Sequence, residues 1–417
     1  MSSPVGSGPL EGVRVVELGV WVAGPATAGL LADWGADVVK VEPPAGDPAR
    51  NFGRMLGGDL DDNPVFELDN RGKRSVALDL STDEGVAIAL ELVGGADVFV
   101  TNLRAAALGR LGLDFDTLLD THPRLVYALI TGYGLDGPDA DRAAYDIAAY
   151  WARSGMAASL QGPQGPLPFQ RGGMGDHTTA MTGAAMICAA LLARERTGRG
   201  QMVTTSLLRQ GAYTLGFDVN VALMWGRTLA PAVRETMPNP SVNHYAAGDG
   251  RRFWIVGLEG ERHWPSLARA VGRPEWLHDE HFATPRARAR NASELIARLD
   301  EIFATRTLDE WAEAFDAESE LFWAPINSIE DLIVDEQFHA SGGVVRVPDE
   351  RGTIPMLATP VDFDGRPAQP RWRAPRHGEH TDEVLRELGR DDEVIAGLHD
   401  SGVACTDTLS NSEDRTG

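Results

Sequence analysis

In the string Gly172-Gly173-Met174-Gly175-Asp176-His177-Thr178-Thr179 glycines run into a carboxylate, and the carboxylate opens the most apolar helix-like stretch of the chain. An aspartate at a helix N-terminus faces backbone N–H groups without intrahelical partners and the positive end of the helix dipole, and both hold it ionised. An ionised carboxylate at an approachable, glycine-bordered point can attack an activated acyl group such as a thioester. The plainer use of the same residue is as a helix cap. His177 is expected on the helix surface, pointing away from Asp176. A second kind of chemistry is offered by Asn70-Arg71-Gly72-Lys73-Arg74, which sets three positive charges within four positions just before a strand-like run. Arg104 and Arg110 follow another such run, ending at Thr101-Asn102. Basic clusters of this kind are either phosphate sites or solvated loops.

The elements that must position these residues are legible as an alternation. Val13–Leu18 reads as a buried strand, Pro25–Trp34 as a helix and Asp37–Glu42 as a second strand, which is a βαβ unit and implies a parallel sheet with right-handed crossovers. The pattern continues with strands over Ser75–Leu80, Asp97–Thr101 and Arg124–Thr131 and a helix over Glu84–Val93. Between the first strand and its helix there is no Gly-x-Gly-x-x-Gly, and a phosphate loop ending in Gly-Lys-Ser/Thr is also missing, so NAD and nucleotide hydrolysis are excluded and the carboxyl edge of the sheet is left for another ligand. The helix opened by Asp176 is expected to run to Arg196 and stop at Thr197-Gly198-Arg199-Gly200, followed by a strand and helix over Gln201–Trp225. Prolines and asparagines between Gly226 and Val242 read as a linker, and a smaller α+β unit begins at Phe253-Trp254-Ile255-Val256. Its amphipathic helices lie near Trp264–Val271, Ala292–Thr305 and Leu308–Ala317. The stretch Val344–Arg376 returns in short strand-like pieces, Asp382–Leu398 reads as one terminal helix, and Ser401–Gly417 as a frayed polar tail. The fold class is therefore α/β, with a large parallel-sheet domain from residues 1–225 plus 331–417 and a small α+β domain from 226–330.

Composition narrows the partners. The 417 residues are 43% hydrophobic and 24% charged, an ordinary globular balance with length for more than one core. A net charge of -23 opposes nucleic acid and anionic membrane surfaces, and it obliges any anionic ligand to find a local basic patch. Two cysteines, Cys188 and Cys405, support neither a disulfide framework nor a metal site. The opening residues show no basic region leading into an apolar one, and the apolar run Ala180–Ala193 is too short to span a bilayer, so the expected location is the cytoplasm.

A ligand with separated phosphates suits two basic patches at one sheet edge, and coenzyme A is such a ligand, its phosphates matched by arginine forks. The chain resembles the class III CoA-transferase family, which includes formyl-CoA transferase, carnitine CoA-transferase and α-methylacyl-CoA racemase, over about Leu10–Val403. The strings that carry the resemblance stand in order. Leu10-Glu11-Gly12-Val13-Arg14-Val15-Val16-Glu17 with Ala23-Gly24-Pro25 is followed by Trp34-Gly35-Ala36-Asp37-Val38-Val39-Lys40-Val41-Glu42-Pro43. Next come Asn70–Ser75, Ala96-Asp97-Val98 leading to Asn102, and Thr131-Gly132-Tyr133-Gly134. Gly175-Asp176, Thr197–Gln201, and Arg373-Ala374-Pro375 with Gly378-Glu379-His380-Thr381 complete the set.

The resemblance implies a Rossmann-like large domain built from both chain ends, a small middle domain, and a homodimer of interlocked rings. It places a CoA site at the sheet edge, on Val22 and Ala23 at the first helix entry, Leu78, Asn102, Arg110, Thr131 and Tyr133, with Arg104 a local addition. Where some relatives carry an arginine after Val-Glu this chain has Pro43, a departure at an adenine-side contact. Asp176 matches the family nucleophile, which attacks an acyl-CoA to give a mixed anhydride and then an aspartyl-CoA thioester. An acceptor carboxylic acid takes the CoA from that thioester, with water excluded and backbone N–H groups of Gly172–Gly175 steadying the oxyanion. No metal takes part. Racemases of the family need a histidine where this chain has Tyr145, before Asp146, and a phenol of ordinary pKa ~10 shuttles protons poorly at neutral pH. The alternatives are therefore an α-methylacyl-CoA racemase or a non-catalytic acyl-CoA-binding protein. Val22 stands where formyl-CoA transferase has a glutamine, which disfavours formate and oxalate, while Trp21 and Trp151 suggest a bulkier acyl group if they line the pocket.

Overall fold

The computed structural model describes residues 8–52, 63–162, 165–230, 232–349 and 352–406. The opening residues before Gly8, Pro231 of the linker and the polar tail beyond residue 406 lie outside these. The chain divides into two compact units, one of Met1–Ser159, Pro168–Thr228 and Gln337–Gly417, the other of Leu160–Leu167 and Leu229–Glu336.

The first unit is α/β around a mostly parallel sheet. Strand β1 (Arg14–Leu18) leads through helix α1 (Ala23–Asp33) to β2 (Asp37–Glu42), and α2 (Pro64–Asn70) leads to β3 (Arg74–Leu78). Helix α3 (Asp83–Gly94) leads to β4 (Val98–Thr101), α4 (Ala105–Arg110) and β5 (Val126–Thr131), and α5 (Met174–Thr197) leads to β6 (Met202–Ser206), α6 (Leu207–Thr214) and α7 (Gly216–Trp225). Strand order is β3-β2-β1-β4-β5-β6, all neighbours parallel, so the order reverses between β1 and β4. Ligands of open parallel sheets bind beyond the carboxyl ends of the strands at such a reversal. Because helices cover both faces, the strands need no alternation and read as continuous Val-rich runs. Every residue of α1 is buried, and α1 packs closely on α5. A Cβ at Gly183 would lie 2.7 Å from Thr27 Oγ1, so only glycine allows that approach.

The second unit sets helices α8 (Gly260–Ala270), α9 (Ala292–Phe303) and α10 (Leu308–Asp316) on an antiparallel sheet of β7 (Val242–Ala246), β8 (Arg252–Val256) and β9 (Trp323–Pro325). Aromatic residues fill its core, Phe253, Trp264, Phe303, Trp311 and Phe315 among them. Strand β7 falls between the linker, read to Val242, and the unit expected from Phe253, where a short strand just after Pro238 and Pro240 is masked by turn composition.

Three further expectations need correction. The terminal helix is two, α11 (Thr381–Glu387) and α12 (Asp392–Asp400). Gly389 at φ +84° ends the first, and the Asp391 side chain accepts from Val394 N–H to start the second. The tail does not fray at Ser401, since β10 (Ala404–Cys405) adds antiparallel to β3 at the sheet edge. Finally, Asn70–Arg74 is neither a phosphate site nor a solvated loop. Arg71 forks onto Asp33, Lys73 Nζ donates to Glu17 (2.7 Å), Pro25 O and Asn70, and Arg74 pairs with Asp37, Glu383 and Glu387. All three cations are buried and their charge is spent inside the fold. The cluster precedes β3, so it enters at the amino end of that strand, and Arg104 and Arg110 follow the carboxyl end of β4.

Candidate active site

The site forms where the start of α5 meets the end of α2 and the segment around Asp146 and Tyr150. Gly173 is the N-cap of α5 at φ +72°, a left-handed turn that suits glycine, and it brings no capping side chain of its own, so Gly175 N–H turns to Asp146 instead. Asp176 is the third residue of the helix, so it stands in the first turn instead of capping it. Gly175 is required by contact, because a Cβ there would lie 2.5 Å from Cγ of the buried Tyr150 ring. Glycines thus let the turn press against Tyr150 and present Asp176, whose carboxylate makes no hydrogen bond among the described residues.

Two other carboxylates stand around it. Asp146, buried just before a π-helical turn over Ile147–Ala152, accepts from Gln170 Nε2 (2.8 Å) and from Gly175 N–H (3.3 Å). Asp69, buried at the end of α2, meets His177 Nε2 through Oδ1 at 3.0 Å, while its Oδ2 has no partner. Burial, with Asp146 and then Asp69 adding to it, pushes Asp176 up to about 7, and His177 opposes them. The expectation that the helix end simply holds Asp176 ionised is corrected: desolvation and two like charges outweigh the dipole, and near neutral pH the group is poised between its two forms. The hydrogen bond to Asp69 raises His177 above its ordinary value. His177 is therefore no plain surface histidine.

The expected oxyanion donors are partly spoken for, since Met174 N–H goes to Arg171 O and Gly175 N–H to Asp146. Gly172 and Gly173 keep unengaged N–H groups among the described residues.

The loop after β1 is held rigidly. Trp21 has φ +65°, a costly conformation for a bulky residue, and its N–H donates to Asp47 Oδ1 at 3.0 Å. Lys40 Nζ joins Asp47, Glu17 and Gly19 O beneath it. Asn102 brackets Val20, its Oδ1 accepting the Val20 N–H and its Nδ2 donating to the Val20 carbonyl. The Trp21 ring meets Tyr145 edge to face at 5.8 Å, and Tyr145, exposed, stands directly before Asp146. Trp151 by contrast packs in a core with Tyr150, Met156 and Leu207, so its side chain is structural.

Of the residues expected around CoA, Val22 and Ala23 lie at the start of α1 beside Asn102, whose amide braces the loop. Arg104 and Arg110 flank α4, exposed and in no ion pair among the described residues. Thr131 ends β5 and accepts the Gly134 N–H, and Tyr133 lies under the Arg153 guanidinium at 4.8 Å. Leu78 is corrected to a core residue: it is fully buried among the β3 side chains beside β10, with no side-chain surface for a ligand. Among the described residues no group of three or more His, Cys, Asp or Glu is placed to hold a metal. Asp69 and Gln170 had no motif to single them out, and Asp146 was marked only as the neighbour of Tyr145, not as a partner of the Asp176 turn.

Comparison with known proteins gives the family of the chain. The model of CoA-transferase family III matches residues 10–381. The chain is 35% identical over 398 residues to (R)-2-hydroxy-4-methylpentanoate CoA-transferase of Clostridioides difficile, covering 94% of this chain and 99% of that protein. It is 34% identical over 415 residues to formyl-CoA:oxalate CoA-transferase of Streptomyces avermitilis, covering 94% and 99%. The crystal structure of a CAIB/BAIF family protein from Brucella suis superposes with a TM-score of 0.79 at 33% identity, over 92% of this chain and all of that one. The chain belongs to CoA-transferase family III and is a transferase enzyme.

Proposed function

We propose that this enzyme moves CoA from an acyl-CoA to a carboxylic acid with Asp176 as covalent nucleophile. The observation that carries the reading is the Asp176 carboxylate, unpartnered and reached past glycines at the start of α5. In its ionised form Asp176 attacks the thioester carbonyl, the C–S bond breaks, and the thiolate leaves with the electron pair. The thiolate returns to the aspartyl carbonyl of the anhydride and expels the acyl group as its free acid. An acceptor carboxylate then repeats the sequence in reverse. Gly172 and Gly173 N–H groups meet the oxyanion, and Arg104 and Arg110 take the phosphates of the CoA portion, with Val22, Ala23, Asn102, Thr131 and Tyr133 along the edge. Tyr145 in the place of a racemase histidine favours transfer over racemisation. Asp176→Ala is expected to abolish transfer, and hydroxylamine added during turnover is expected to trap an adduct on Asp176; a fully active variant sinks the mechanism.

Relatives of similar identity are named for acids as different as 2-hydroxy-4-methylpentanoate and oxalate, so family membership does not choose the substrate. The Trp21–Tyr145 pair forms the acyl wall of the pocket, which favours carboxylic acids with a bulky apolar side chain. A panel of acyl-CoAs and acids read by mass spectrometry tests this, and a preference for formate or oxalate overturns it. No new acyl-CoA with any pair would favour a non-catalytic binder.

The two units are read as a large domain drawn from both chain ends and a small domain, assembled as an interlocked homodimer in the cytoplasm. Helix α7 supports the dimer, since none of its residues is buried within the chain and Phe217, Leu223, Met224 and Trp225 are 62–78% exposed. Light scattering at twice the chain mass is expected.

A further inference from the structure

We propose that His177, held by Asp69, is the positioning charge that keeps Asp176 available as a nucleophile. The inference rests on the nucleophile reading above and adds to it the device that tunes that nucleophile. Three carboxylates, Asp69, Asp146 and Asp176, converge on the start of α5, and of the groups that act on Asp176 among the described residues only His177 brings a positive charge. Its ring folds back over the N-cap, since a Cβ at Gly173 would lie 3.2 Å from His177 Cε1. A cation at the positive end of a helix is disfavoured by the helix dipole and needs a reason to stay there.

Asp69 supplies it. Its carboxylate is almost wholly buried, Oδ1 meets His177 Nε2 at 3.0 Å and Oδ2 has no partner, so nearly all that stabilises its charge by direct contact is the imidazole. Helix α1 packs directly on the Asp69 backbone, since a Cβ at Gly29 would lie 2.6 Å from Asp69 O. The groups facing His177 are Asp69 from α2, Asp176 from α5 and Asp146 from the segment before the π turn, and Asp69 in turn faces Lys73 and Glu17. Among the described residues the charges that act most strongly on His177 are negative, and with the Asp69 hydrogen bond foremost they raise it above its ordinary value, where burial alone would lower it. The retained charge then works against the burial that drives Asp176 to its protonated, unreactive form. The groups titrate as a cluster, so the acid limb of the rate profile belongs to all of them.

The test is the pH profile of kcat/KM, which reports the free enzyme. His177→Gln, on a half-exposed helical position, is expected to move the acid limb upward by about one unit, an about tenfold loss at pH 6 that shrinks toward pH 8.5. His177→Lys, which restores a positive charge, is expected to bring the limb back. A loss equal at every pH, an unmoved limb, or a lysine variant that behaves as the glutamine one overturns the proposal. Asp69→Asn gives a readout without turnover: the His177 imidazole titration followed by NMR is expected to fall toward its ordinary range, and an unchanged titration overturns the proposal. Asp176→Asn run alongside separates this inference from the nucleophile reading. Full activity there overturns both, whereas an inactive Asp176→Asn beside an unmoved His177→Gln limb overturns this inference alone.

Discussion

Two basic regions of the first unit have the same look in sequence and opposite fates in the fold. Arg71, Lys73 and Arg74 stand at the amino end of β3 and are buried, each matched by carboxylates brought from elsewhere in the chain, Asp33, Glu17, Asp37, Glu383 and Glu387. Arg104 and Arg110 stand after β4, exposed, with no acid within ion-pair reach among the described residues. The density of charge is greater in the first region, yet only the second has charge left for a ligand. What separates them is strand direction, since residues following a parallel strand emerge at the edge where ligands bind and residues preceding it enter from the other end. The same contrast runs through the acids: Asp146 has two donors, whereas the Asp176 carboxylate has none among the described residues.

The comparison can be broken most forcibly at Lys73. Its ammonium donates to three acceptors, and burial with the neighbouring Lys40 charge pulls it down to about 8 while Glu17 pulls it back. Lys73→Met leaves Glu17 a buried carboxylate with one cation fewer and is expected to cost about 3–5 kcal/mol in urea unfolding. A near-neutral result would show that the cluster is not structural.

Arg110→Ala removes an exposed charge and is expected to raise the KM of the CoA ester roughly tenfold, the worth of one charge-assisted contact, while unfolding stays within about 0.5 kcal/mol of wild type. An unchanged KM would erase the difference between the two regions.

Asp146→Asn sharpens the contrast between the acids. Asp146 is a like charge that raises Asp176, so its loss lowers Asp176 from about 7 and moves the acid limb of kcat/KM to lower pH, opposite in sign to His177→Gln. A several-fold gain at pH 5.5 relative to the plateau is the expected reading. The smallest effect is salt: raising ionic strength from about 0.05 M to 0.5 M is expected to raise the CoA-ester KM a few-fold through the exposed arginines, and to leave the buried cluster and the unfolding midpoint little changed.

Much of the frame was legible because it rests on local pattern. The Val-rich runs at Val13–Leu18 and Asp37–Glu42 fall within a residue of β1 and β2, since a strand buried on both faces is continuous and apolar whatever surrounds it. Strand β7 and the break at Gly389 were lost where turn-forming residues sit against short elements, and local composition cannot rank them.

By itself the sequence determined the βαβ alternation, the glycine-bordered Asp176 and the ordered strings that mark the family, because periodicity, backbone freedom and motif order are properties of neighbouring residues. Only the tertiary structure decided which charges are spent and which are free. The partners of Lys73, Asp146 and His177 lie 56, 24 and 108 residues away, and a pKa is set by burial and by whatever charge the fold brings near. Asp176 was named by its neighbours in the chain, and its chemistry was set by its neighbours in space.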